Sequence, residues 1–115
     1  MTRKQLQEYY VETRIAGVSF ANDDGSSRQD ALAEIEHQGG ALPITLKRKP
    51  KNRFDPNAIA VFHEDKQIGY VPRQLAEELA PIIDAGIEMR AHIVSIGQNA
   101  VGLYGLTIRI DWVGP

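Results

Sequence analysis

The stretch Asn52-Arg53-Phe54-Asp55-Pro56-Asn57-Ala58-Ile59-Ala60-Val61, led in by Lys47-Arg48-Lys49-Pro50-Lys51, decides how this chain is read. It sets an aromatic ring, a carboxylate and two carboxamides on a turn, with a cationic run entering and an apolar strand leaving. Pro50 and Pro56 hold φ near about −65° and bias Lys49 and Asp55 toward extended backbone, so the turn has a definite shape. Asp55 and Asn57 are residue types that close such turns by bonding to nearby backbone amides. Cation, ring, acceptor and rigid turn are together what a protein needs to hold a nucleotide. A solvated basic loop entering a strand would use the same residues, and the turn alone does not separate the two readings.

Outward from the turn, short elements follow one another closely. Upstream, Tyr9 to Val18 is expected to be a strand, with Val11, Thr13 and Ile15 alternating with Glu12 and Arg14. Asn22 to Ser26 is a loop, and Ser27-x-x-Asp30 resembles a capping box that opens a helix from Arg28 to about His37, stopped by Gly39 or Gly40. Leu42, Ile44 and Leu46 alternate into the basic turn as a second strand. Downstream, Ala58 to Phe62 and Gln67 to Val71 form a hairpin about His63-Glu64-Asp65-Lys66. Pro72 suits the first turn of a second helix through Ala80, which Pro81 is expected to break or restart. Ile87 to Ile96 and Leu103 to Trp112 are the last strands. Along the latter, Leu106, Ile108, Ile110 and Trp112 face one way, and Thr107, Arg109 and Asp111 the other. The fold class expected is mainly β with two helices (α+β), a small antiparallel barrel of about six strands, because closure removes exposed sheet edges. The alternative is a sandwich with both helices on one face of an open sheet.

Composition bounds the possibilities. A chain of 115 residues is one domain, and 43% hydrophobic with 24% charged residues is globular composition. The absence of cysteine excludes a disulfide scaffold, a thiolate metal site and a thiol nucleophile. The first residues lack the apolar stretch of a signal peptide, and no apolar run approaches the ~20 residues that span a bilayer. A cytoplasmic protein with no membrane partner is expected. The net charge is −2, but residues 47–53 hold five of the thirteen basic residues and no acid, which leaves the rest at −7. Such a protein grips a few phosphates at one place and is repelled elsewhere, which suits a strand end better than a long duplex.

The ordered run Asn-x-(aromatic)-Asp-x-Asn-Ala-Ile-x-Val at 52–61, followed by Ile68-Gly69-Tyr70-Val71-Pro72, resembles the HIRAN domain. That module occurs at the N-terminus of certain SWI/SNF-type DNA translocases and as small free-standing bacterial proteins. The likeness covers roughly Thr13 to Trp112 and is similar to a stand-alone member, so 13–112 is expected as the domain, 1–12 as a segment entering the first strand and 113–115 as a tail. It implies an OB-like barrel and binding of the 3′-hydroxyl end of single-stranded DNA. Carried over by position, Asp55 would accept a hydrogen bond from the terminal hydroxyl, with Phe54 and Phe20 on either side of the terminal base. Asn52 and its neighbours Arg53 and Asn57 would supply polar or backbone contacts. Tyr70 and Arg73 would line the phosphate path, and Lys47, Lys49 and Lys51 would add charge. A DNA-processing enzyme is a second expected partner. The chain departs from the family where Phe54 and Phe20 replace tyrosines, Ser19 replaces a basic residue and Tyr70 replaces a histidine, which leaves room for RNA or a modified end as ligand.

The residues themselves carry the same logic. Bases stack on aromatic rings at about 1–3 kcal/mol each, and OB-type barrels combine this with cationic grooves. A carboxylate only accepts, so it welcomes a hydroxyl and repels the phosphate that would continue the strand. On pattern alone, Phe20 after a strand is more commonly core, and Asp55 before proline commonly serves only to cap its turn. Gly69 beside Tyr70 is read either as a close backbone approach or as a bulge. Catalysis has little footing, and no catalytic residue is assigned. His37, His63 and His92 lack metal-ligand spacing, so no metal is assigned. The Gly97-to-Gly102 loop lacks the Lys-Ser/Thr pair of a phosphate loop, and no cofactor is expected. A non-enzymatic protein-interaction adaptor on the same fold is the alternative function.

Overall fold

The alternating residues Leu106, Ile108 and Ile110 build the centre of the molecule, all three fully or almost fully buried on the middle strand of a three-stranded sheet. The computed structural model describes residues 6–40 and 42–114. Within them the order is β1 (Gln7–Arg14), α1 (Arg28–His37), β2 (Thr45–Arg48), β3 (Ile59–His63), β4 (Lys66–Tyr70), α2 (Arg73–Asp84), β5 (Arg90–Gln98) and β6 (Tyr104–Gly114). One antiparallel sheet has the order β1-β6-β5 and the other β2-β3-β4. Ile15 and β6 meet Ile59, Val61 and Ile68 of the second sheet in one core, which Leu32 and Ile35 of α1 and Ala76 and Leu79 of α2 complete.

The helix ends follow local chemistry. Ser27 Oγ accepts the Asp30 amide at 3.1 Å, as the capping pattern requires, and α1 runs over the expected span. It ends where Gly40 N donates to Ile35 O at 2.9 Å, with Gly39 and Gly40 both at positive φ. The expected break at Pro81 does not occur, for α2 continues through it to Asp84. The missing N–H would have bonded to the carbonyl of Glu77. Both residues are exposed, so water can serve that carbonyl. Pairing of β1 with β6 spans Gln7↔Gly114 to Arg14↔Thr107, so the sheet takes in residues on both sides of 13–112. Residues 1–5, within the expected 1–12 segment, and Pro115 lie outside the described residues.

The expected closed barrel is not seen. The two ladders meet through isolated bridges, Ala16↔Tyr70 at one seam and Ile44↔Ala91 at the other. Each bridge stops for a local reason. Gly17 turns the chain away at φ +71 after Ala16, Pro72 ends the run after Tyr70, and Pro43 before Ile44 has no amide to donate. Single bridges leave a gap between the sheets beyond Ala16, and the candidate site lies there.

Two contacts set the edge of that gap. Ala16 N donates to Tyr70 O at 2.7 Å and Tyr70 N to Ala16 O at 2.9 Å, next to Gly69 on β4. A Cβ on Gly69 would stand 2.7 Å from Ala16 O, so the glycine is there for close backbone approach. The bulge alternative has a basis too, because the β3–β4 register shifts between Val61 and Phe62. At the other edge, Arg48 Nε and Nη2 donate to the two carboxylate oxygens of Asp84 at 2.9 and 3.0 Å. Its Nη1 donates to Pro56 O and Ala58 O, each at 3.0 Å, so one guanidinium ties β2, the motif turn and α2 together.

Gly69→Ala is expected to cost about 1–3 kcal/mol in denaturant unfolding, because the clash is with backbone that must shift. The Arg48 guanidinium holds the Asp84 carboxyl below its ordinary value near 3.8. Its contribution to stability is therefore present above that value and is lost as pH falls through the lower, folded one. Asp84→Asn should melt earlier than wild type at neutral pH and lose less further stability in acid, as melting curves at the two conditions will show.

Candidate functional site

The motif turn is built by its own side chains. Asn52 Oδ1 accepts the amides of Phe54 at 2.9 Å and Asp55 at 3.0 Å, which turns the Phe54 ring outward. Lys49 N donates to Ala58 O at 2.8 Å and closes the base of the loop. Asp55 Oδ1 accepts the Asn57 amide at 2.9 Å, so the capping role is real. Its Oδ2 lies 4.0 Å from Arg73 Nε and takes no hydrogen bond among the described residues. The Asp55 side chain is 16% exposed and that of Arg73 72%. Asn52 Nδ2 reaches the Tyr70 hydroxyl at 3.4 Å.

The facing wall is the segment that follows β1. Phe20 N donates to Gly17 O at 3.2 Å, and this tight turn carries the Phe20 ring. Phe20 is 68% exposed and Phe54 80%, so neither ring belongs to the core, and the sequence-based preference for a core Phe20 is corrected. Between the walls lies an open cleft of about 890 Å³. Of the expected residues, it brings together Phe20, Lys51, Asn52, Arg53, Phe54, Asp55, Tyr70 and Arg73.

Lys47, Lys49 and Asn57 do not line the cleft. The ammonium groups of Lys47 and Lys49 sit 4.5 and 5.3 Å from the Phe62 ring centroid, and Arg48 is committed to Asp84. The cationic run is therefore not one patch. Only Lys51 and Arg53 of its five members face the cleft, where Arg28 and Arg73 join them against Asp23 and Asp55. Four cations against two acids keep the cleft positive in a protein of net charge −2.

Arg28 and Asp23 are the charged lining residues that sequence reasoning missed. A usable signal existed for Arg28, which is the first residue of α1, where the helix dipole disfavours a cation. Its Nε donates to Asn22 Oδ1 and its Nη1 to Gly17 O, both at 2.8 Å, and its guanidinium carbon lies 5.3 Å from the Tyr70 ring centroid. A second groove of about 930 Å³ lies near the other end of the β1-β6 ladder, where Tyr9 stacks on Trp112 at 5.6 Å. Among the described residues no group of three or more His, Cys, Asp or Glu is placed to hold a metal ion. No described helix is long and apolar enough to cross a membrane.

A family model described as the HIRAN domain matches residues 9–115. The chain belongs to the HIRAN domain family. It is 48% identical over 70 residues, 56% of its length, to a Fanconi-associated nuclease 1 homolog of Oryza sativa subsp. japonica. It is 37% identical over 57 residues, 49% of its length, to the Helicase-like transcription factor of Oryctolagus cuniculus. These matches cover only 7% and 6% of those two proteins. The fold is shared with a crystal structure of a protein from Lactobacillus plantarum, with a TM-score of 0.70 and 17% identity over 96% of this chain and all of that one. It is shared also with the HIRAN domain of human HLTF, with a TM-score of 0.61 and 19% identity over 91% and 75% of the two chains.

Because the Phe54 ring is solvent-facing, Phe54→Ala should change folding stability by no more than about 0.5 kcal/mol. A core phenylalanine would cost about 3–5 kcal/mol. Thermal or denaturant melts of the variant distinguish the two outcomes directly.

Proposed function

We propose that this HIRAN domain is a DNA-binding module that takes the 3′-hydroxyl end of a single strand into the cleft. The observation that carries the reading is the pairing of two exposed rings, on separate loops, with a part-buried carboxylate between cationic neighbours. Phe54 and Phe20 offer faces for the terminal base, and Lys51, Arg53 and Arg73 offer charge to the phosphates behind it. Asp55 uses one oxygen to hold the turn and retains the other to accept a hydrogen bond from a hydroxyl. A following phosphate would face that carboxylate, and this opposes binding of a strand interior. The names of the two sequence relatives, a nuclease homolog and a helicase-like transcription factor, fit a module that serves DNA-processing enzymes. Lys47 and Lys49 would contribute through the field around the cleft and not by contact.

The cleft's described lining residues include no Ser, Thr or His, and its carboxylates stand beside cations, which supports the binding reading. A second reading, a protein-interaction adaptor, is favoured by the aromatic groove at Tyr9 and Trp112, where Val113 is also exposed.

Affinities for a short oligonucleotide ending in 3′-hydroxyl or 3′-phosphate, measured with wild type and Asp55→Asn, test the end-binding reading. Wild type should prefer the hydroxyl by about tenfold or more, the scale of one hydrogen bond to a charged group. Asp55→Asn should keep its fold and lose most of that preference. A wild-type ratio near unity would remove end recognition, and no binding at all would favour the adaptor.

A further inference from the structure

Arg28 is buried, whereas the other cations of the cleft, Lys51, Arg53 and Arg73, are exposed. Its relative exposure is 7%, and it alone among the described charged residues is buried. Both of its hydrogen-bond acceptors, Asn22 Oδ1 and Gly17 O, are neutral. Among the described residues it forms no ion pair, and neither acid of the cleft, Asp23 nor Asp55, lies within salt-bridge distance of it. A buried guanidinium without a counter-ion is costly, and neutral acceptors with a ring face offset only part of that cost. Arg28 lines the cleft, with its guanidinium carbon 5.3 Å from the Tyr70 ring centroid.

We propose that Arg28 is an anion-binding residue of the cleft, pairing with one phosphate of the ligand at the Tyr70 wall. The proposal deepens the nucleic-acid reading and rests on it for the identity of the anion as a phosphodiester. Lys51, Arg53 and Arg73 are set out in the open, whereas Arg28 is fixed by two 2.8 Å hydrogen bonds before the ligand arrives. A planar donor so held is suited to a phosphate oxygen and loses little side-chain freedom on binding. Arg28 therefore selects the position of one phosphate, while the exposed cations act on the strand's charge as a whole. Asp55 at the hydroxyl end and Arg28 at the Tyr70 wall give the bound strand a direction.

The rival role for Arg28 is that of a latch that only holds the Gly17–Asn22 segment, and the test separates the two. A 3′-hydroxyl oligothymidylate is prepared with each linkage in turn replaced by an uncharged methylphosphonate. Its affinity is measured for wild type, Arg28→Gln and Arg28→Lys, after melting curves confirm which variants fold. For wild type, one linkage near the 3′ end should lose about tenfold on neutralisation, as expected for a charge-assisted hydrogen bond. Arg28→Gln should bind the unmodified strand about as weakly as wild type binds that one neutralised strand, and should be indifferent to that neutralisation. Equal losses at every linkage in wild type and Arg28→Gln would reduce Arg28 to a latch and overturn the proposal. If Arg28→Gln does not fold, Arg28→Lys decides: a smaller penalty at the same linkage supports the contact, and an unchanged penalty overturns it. Melting curves with inorganic pyrophosphate form a second arm that needs no nucleic acid. Stabilisation of wild type that survives Lys66→Ala, a change at an exposed cation outside the cleft, and fails in the folded Arg28 variant supports the anion site even if the oligonucleotide is not bound, in which case the DNA reading alone falls. No stabilisation of wild type, together with no linkage effect, overturns both.

Discussion

The pair of hydrogen bonds between Ala16 and Tyr70 is the join on which the arrangement of this molecule depends. It is the seam between the β1-β6-β5 and β2-β3-β4 sheets on the side where the cleft opens. Ala16, Gly17, Tyr70 and Val71, the residues at and next to the join, line the cleft floor. The join requires a residue without a side chain at 69, because the carbonyl of Ala16 occupies the space a Cβ would take. It also requires Gly17 to take positive φ at once, so that the chain leaves the sheet and carries Phe20 across the gap. Continued pairing would close the seam and leave no cleft.

Charge is distributed by the same construction. Arg48 has two carboxylate oxygens and two carbonyls as partners and is spent on holding the turn to α2. Lys47 and Lys49, one residue either side of it, point to the opposite face and rest over Phe62. Lys51 and Arg53 escape this alternation because Pro50 ends the extended backbone and the turn begins. The cleft is thus positive through four residues from four places in the chain: the α1 start, two positions of the turn, and the α2 start. An excess of acid on the rest of the chain confines the attraction to that place.

Much of this was legible in the sequence where the determinant is local. The Ser27 cap, the alternation in β6, the hairpin at His63 to Lys66 and the Asn52–Asn57 turn all rest on interactions spanning a few residues, and they stand where expected. The expectation of one cationic run over 47–53 overlooks the strand's period of two, which sets Lys47 and Lys49 over Phe62 and Arg48 against Asp84. What was not legible depends on contacts distant in sequence. Closure of the barrel turns on whether sheet edges meet over one residue pair or many. The exposure of Phe20 depends on Arg28 and Gln29 pulling the Gly17 and Val18 carbonyls toward α1, with Gln29 also bonding Tyr104 seventy-five residues away. Pro81 was misjudged because the cost of a lost helix bond depends on whether the orphaned carbonyl is wet, which composition does not reveal.

The two walls of the cleft are held by different helices. The motif turn is gripped by α2 near both of its ends, through Asp84 to Arg48 and through Arg73 facing Asp55 at 4.0 Å. The Phe20 wall is gripped by the first two residues of α1, through Arg28 to Gly17 and Asn22 and through Gln29 to Val18. Each wall is therefore tied to its own helix, and the two walls join at Ala16 and Tyr70. Tyr70 belongs to both sides, since its backbone pairs with Ala16, its ring lies by Arg28 and its hydroxyl meets Asn52. A change at Tyr70 would act on both walls together, whereas a change at either ring would act on one.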